Sequence, residues 1–103
     1  MKSRPISEKS LMRRLGVLRH VGNMESRNGY GEAPNQFLLT FSNGELFQSY
    51  RSYVAAYIKG TLYINEYYHD CSKTTMLYCK RFTGLTASER RKGIQEGKIK
   101  TFR

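Results

Sequence analysis

Residues 36–50 read QFLLTFSNGELFQSY and residues 53–67 read YVAAYIKGTLYINEY, and these two stretches decide the fold class. In the first, Asn43-Gly44 signals a two-residue type I′ turn, because both central residues of that turn take positive φ and these two do so cheaply. Counting outward places Phe41 opposite Leu46, Leu39 opposite Gln48 and Phe37 opposite Tyr50 on one face. The other face receives Ser42 with Glu45, Thr40 with Phe47 and Leu38 with Ser49. The first face is the more apolar, as a half-buried antiparallel sheet requires. In the second stretch Lys59-Gly60 marks the bend. The same count pairs Tyr57 with Leu62 and Ala55 with Ile64 on one face, and Ala56 with Tyr63 and Ile58 with Thr61 on the other. Both of its faces are fairly apolar, which predicts a central position or a covering helix. Ser49–Ser52 joins the hairpins and would continue the sheet. The expectation is an α+β fold with an antiparallel sheet of about four strands.

Helical signals follow the hairpins. Ser72 is a suitable N-cap for a helix over Lys73–Thr83, with Asp70 as the rival cap. Thr75, Tyr78, Cys79 and Phe82 recur at i, i+3, i+4 and i+7 and would face the sheet. Gly84 suits the position after the helix, where positive φ is needed. Thr86-Ala87-Ser88-Glu89 is a capping-box pattern for a second helix, stopped by Gly97. That helix is nearly all polar, with Ile94 as its one large anchor, and a helix so hydrophilic is marginal alone. Lys98–Arg103 would either pair as a short strand through Ile99 or trail.

Upstream, Ser7 could cap a helix over Glu8–His20, with Leu11, Met12, Leu15 and Leu18 on one stripe and Gly16 weakening it by about 1 kcal/mol. Glu25–Asn35 reads as a loop. The organisation expected is a basic arm or helix and loop over 1–35, then a single α+β domain over 36–103 with a basic C-terminal helix.

Charge is distributed unevenly along the 103 residues. Residues 1–28 balance at +5, residues 29–79 at −1 and residues 80–103 at +6, which together make the net +10. Eleven of the thirteen aromatics lie between Phe37 and Phe82, so the core must be built in the neutral middle. A concentrated positive field points to a polyanion, with a solvated surface as the alternative. The candidate contacts to nucleic acid or another partner are Arg13, Arg14, Arg19, Lys80, Arg81, Arg90, Arg91, Lys92, Lys98 and Lys100. Together they would neutralise several phosphates, with strong salt dependence and little sequence preference. Tyr53, Tyr57, Tyr63, Tyr67 and Tyr68 are available to stack on bases, although Tyr also favours strands generally.

Other chemistries find little footing. The longest apolar stretches, Val54–Ile58 among them, fall far short of the ~20 residues needed to span a bilayer, so no membrane partner is expected. Cys71 and Cys79, if both lay on one helix, would have Cα atoms about 12 Å apart at helical rise. A disulfide needs under ~7 Å. Both are expected to be reduced, with Cys79 a small core hydrophobe, which suits a cytoplasmic chain. His69-Asp70-Cys71 invites a Cys–His nucleophile, but sequence neighbours seldom face each other and no oxyanion loop accompanies them. Two cysteines and one nearby histidine do not make four zinc ligands. Neither catalysis, a cofactor nor a metal is expected.

Asn35-Gln36-Phe37, Phe47-Gln48-Ser49-Tyr50 and Ser72-Lys73-Thr74-Thr75, the last preceded by Tyr67-Tyr68, carry a resemblance. Over about residues 35–83 the chain resembles a group of small uncharacterised proteins of tailed bacteriophages. The resemblance implies a phage or prophage origin and expression in the bacterial host cytoplasm, and brings no catalytic residues. The expected function is that of a non-enzymatic phage-type accessory protein binding DNA, RNA or a nucleoprotein complex through its basic arms. The alternative is an inhibitor of a host defence system, of anti-CRISPR or anti-restriction type, acting on a host protein or ribonucleoprotein complex by protein–protein binding. A virion-associated structural role is a third reading.

Overall fold

A computed structural model describes residues 2–103. The elements run α1 (Glu8–Leu15), β1 (Leu18–Glu25), β2 (Glu32–Phe41), β3 (Gly44–Ser49), β4 (Ser52–Ile58), β5 (Thr61–Asn65), α2 (Lys73–Thr83), α3 (Ala87–Gln95) and β6 (Lys100–Phe102). The strands form one sheet in the order β1-β2-β3-β4-β5-β6. Neighbours from β1 to β5 are antiparallel, while β6 runs parallel to β5. A parallel neighbour needs a crossover, and α2 with α3 supplies it. The fold is α+β, with a mixed sheet of six strands in place of the four antiparallel ones expected.

The hairpin at Lys59-Gly60 has the expected register, from Ile58 opposite Thr61 to Ala55 opposite Ile64. Lys59 and Gly60 take φ of 49° and 83°, which closes the two-residue turn. The first hairpin is offset. Its turn residues are Ser42 and Asn43, so Phe41 stands opposite Gly44 and Leu39 opposite Leu46. Gly44 is held for space instead of for positive φ: a Cβ there would lie 1.9 Å from the Tyr57 carbonyl oxygen on β4. The offset moves partners by two residues, so Leu39, Phe41 and Leu46 still share one face. Tyr50 and Arg51 make the third turn, with Tyr50 at φ 56°.

The N-terminal helix is shorter than the pattern predicts. Ser7 caps it, its Oγ accepting from the Ser10 N–H at 3.0 Å, but it ends at Leu15 and Gly16 turns away at φ 87°. The following residues extend as β1 and pair with β2, so Leu18 and His20 belong to a strand. The loop expected over 25–35 contracts to the turn before Glu32. Residues 18–25 and 32–35 are therefore strands of the same sheet as the rest, with α1 packed on its face. Of the two outcomes expected for Lys98–Arg103 the strand is found, but over Lys100–Phe102, with Ile99 packed in the core just before it instead of carrying the pairing.

Both sheet faces are covered. Leu11 and Leu15 of α1 pack with Leu39, Phe41, Leu46, Ala56, Ile58, Tyr63 and Phe102. On the other face Tyr78 and Cys79 of α2 and Ile94 of α3 pack with Phe47, Val54, Ala55, Leu62, Ile64 and Ile99. Alternate residues of β3 and β5 supply the two layers, as the period of two demands. Cys79 is buried and Cys71 exposed, and both are free thiols. Burial pushes the Cys79 thiol up to about 11, consistent with an inert core position.

A candidate polyanion-binding face on α2 and α3

The caps that fix α2 and α3 also fix their charges. Ser72 Oγ accepts from the Thr75 N–H at 3.1 Å, and Gly84 ends α2 in the left-handed region. Thr86 and Glu89 close the capping box of α3 in both directions, at 2.8 and 3.2 Å. The bond to the Thr86 backbone holds the Glu89 carboxyl below its usual range. With the ends set, Lys73, Met76, Leu77 and Lys80 fall on one stripe of α2, at helical spacing. They face Ala87 and Arg90 of α3 across a groove of about 300 Å³. Lys73 and Lys80 are exposed and form no ion pair among the described residues. The groove therefore has aliphatic walls and a cationic rim.

Arg90 lies at its floor, fully buried. Nε donates to His69 Nδ1 at 3.0 Å, Nη1 to the Leu85 carbonyl at 2.7 Å and Nη2 to the His69 carbonyl at 3.0 Å. These bonds tie the start of the loop before α2 to the turn before α3. Because Nδ1 accepts, His69 is neutral. Burial, with Arg90 and Arg91 adding to it, holds its imidazole below the ordinary histidine value, while Asp70 acts the other way. His69 also borders a second cleft of about 220 Å³ with Lys2, Glu66, Asp70 and Arg91. There Lys2 pairs with Glu66 at 2.8 Å and Arg91 with Asp70 at 3.2 Å. With its acceptor nitrogen taken by Arg90, His69 has no free base to offer the exposed Cys71.

The other sequence candidates divide between locations. Lys80 and Arg81 are exposed on α2, and Arg91 and Lys92 on α3. Arg81 is steadied by the Tyr78 ring, 5.0 Å from its centroid, and donates to the Glu25 carbonyl. Lys98 is exposed and pairs with Glu96 at 3.6 Å. Arg13 and Arg14 are exposed on α1, which covers the opposite sheet face. Arg14 donates to Tyr63 Oη at 3.0 Å and stacks over its ring. Arg19 lies on the β1 edge strand and Lys100 on β6. The predicted residues thus do not converge, and Arg90 is inside the protein. Lys73, which composition did not single out, completes the α2 rim; its i−7 spacing from Lys80 is the signal that locates it. Of the five candidate stacking tyrosines, Tyr67 and Tyr68 are exposed, whereas Tyr63 is buried and Tyr53 and Tyr57 are half-buried.

Among the described residues no group of three or more His, Cys, Asp or Glu is placed to hold a metal ion. No described helix is long and apolar enough to cross a membrane. No curated protein and no solved structure matches the chain. One family model does, over residues 18–98, which run from the start of β1 to just beyond α3 and leave out α1 and β6. The chain belongs to that family, DUF8033, a family of unknown function.

Proposed function

We propose that this is a non-enzymatic phage-type accessory protein that binds nucleic acid through the α2–α3 face. The observation that carries the reading is the set Lys73, Lys80 and Lys92. They are exposed, lie on two capped helices and form no close ion pair among the described residues, while Glu89 acts on Lys80 and borders, with Glu96, the cleft that Lys92 lines. Arg81, held against Tyr78, adds a cation already ordered before any partner arrives. A net +10 on 103 residues gives the long-range field that draws a polyanion in. Lysine ammonium groups act as point charges on phosphates, so the binding positions a backbone and reads little sequence.

Fluorescence anisotropy with single-stranded and duplex oligonucleotides across a salt series tests this. With about four phosphate contacts, log K should fall against log salt with a slope of about −3 to −4. Oligonucleotides of unrelated sequence should bind alike. Failure to bind either form at low salt would overturn the reading. Capture of an acidic host protein that survives nuclease treatment would replace nucleic acid by a protein partner.

A further inference from the structure

Tyr67 and Tyr68 are 59% and 39% exposed, and neither ring has an aromatic or cation–π neighbour among the described residues. Tyr30 and Tyr50 are also exposed, but each stands alone in a turn between strands. A single aromatic at the surface is ordinary, whereas two in succession leave a larger apolar area uncovered. The cations of α2 and α3 account for phosphates and leave this pair without a part.

The turn that carries the pair is held from several sides. Asn65, itself 1% exposed, accepts at Oδ1 from the Tyr67 N–H at 2.9 Å and from the Tyr68 N–H at 3.2 Å. Its carbonyl accepts from the His69 N–H at 3.3 Å. His69 is bonded in turn to Arg90, at the floor of the α2–α3 groove. The pair is thus tied to the face that carries Lys73 and Lys80. Tyr67 is also fixed at its tip, where Oη accepts from Arg103 Nη1 at 3.0 Å. Arg103 is anchored by its backbone, the N–H donating to the Ile6 carbonyl at 2.9 Å and the carbonyl accepting from the Glu8 N–H at 3.0 Å. A surface ordered in advance loses little freedom when a ligand arrives.

The surrounding charge bears on what covers the rings. Glu66 and Asp70, the acids of this turn, are matched by Lys2 at 2.8 Å and Arg91 at 3.2 Å, and Arg103 acts on Glu66 as well. A phosphate is therefore not repelled here, and the Arg103 fork keeps donors to offer one. Flat rings beside a cation, with Lys73 five residues on from Tyr68, match planar bases on a charged backbone. Paired bases stack on one another, so only bases outside a duplex present a free face to such rings. We infer that Tyr67 and Tyr68 are a stacking platform for unpaired bases, so that the nucleic acid this protein prefers is single-stranded. The inference rests on the nucleic-acid reading of α2 and α3 and adds base contacts to its phosphate contacts.

Anisotropy titrations at physiological salt with three probes of equal length test it: single-stranded oligothymidine, the same strand made abasic throughout, and a duplex. The abasic strand keeps every phosphate and removes every base. Oligothymidine should bind about tenfold more tightly than the abasic strand, and more tightly than the duplex. Tyr67→Ala/Tyr68→Ala should lose about tenfold on oligothymidine, little on the abasic strand, and keep its salt slope within about 1 of wild type. Tyr67→Phe/Tyr68→Phe retains both rings and should retain most of the affinity, and far-UV circular dichroism establishes that each variant is folded. Equal binding of oligothymidine and the abasic strand overturns the inference while leaving the phosphate contacts standing. So does a duplex bound as tightly as oligothymidine, or an alanine variant that binds like wild type or weakens the abasic strand equally. Binding of none of the three, even at low salt, overturns both this inference and the reading it rests on.

Discussion

Arg90 and Arg91 are neighbours on one helix and belong to two different regions. Arg90 sits in the buried junction with His69, while Arg91 lies on the exposed cationic surface, paired with Asp70. The junction uses charge as a directional donor: three bonds from one planar guanidinium bind two loops together. The surface uses charge as a field, with ammonium groups that need no fixed geometry. A cluster of cations in sequence is therefore not one functional unit, and its two halves should respond to change in different ways.

The largest effect is expected inside. Arg90→Ala strips the partners from His69 Nδ1 and two carbonyls in the interior, and should cost about 3–5 kcal/mol in chemical denaturation. Arg90→Lys should recover little of that, since an ammonium cannot supply the planar fork. A wild-type-like midpoint for Arg90→Ala would erase the distinction between the two regions.

Acid should act on the same junction, with a smaller effect. Folded His69 binds its proton less readily than the unfolded chain, so its contribution is complete above the ordinary value of 6.5. As pH falls below that, the unfolded chain takes up a proton that the folded one refuses. Stability should then decline, by at most about 1.4 kcal/mol per pH unit until the folded imidazole also titrates. His69→Gln should flatten this part of the profile. A stability that rises on going from pH 7 to pH 6 would contradict the neutral, Arg90-bonded histidine.

The smallest effects belong to the surface. Arg91→Ala breaks an exposed pair and should change stability by under about 1 kcal/mol. Neutralising Lys73, Lys80 and Lys92 together should leave the unfolding midpoint nearly unmoved.

Much of this was legible in the chain, and the misses have physical causes. The caps of α2 and α3 were readable because Ser72, Thr86, Glu89 and Gly84 act locally on adjacent backbone. The Lys59-Gly60 register was readable because both residues must take positive φ. Gly44 misled, since its reason is the approach of Tyr57 from β4, a contact no local pattern announces. The start of β1, Leu18–His20, was read as helix because Leu18 continues the helical stripe of Leu11, Met12 and Leu15, which Gly16 cuts short. β6 depends on a crossover through two helices. Arg90 carried one overlooked signal: it precedes Ile94, the anchor of α3, by four residues and so shares its buried face.

The most direct test of the assignment of the binding field to the α2–α3 surface is the salt slope of nucleic-acid binding in paired variants. Lys73→Gln/Lys80→Gln/Lys92→Gln should flatten the slope by about 2–3, while Lys9→Gln/Arg13→Gln on the opposite sheet face should leave it within about 1 of wild type. An unchanged slope in the first variant, or an equal loss in the second, would contradict the assignment of binding to α2 and α3.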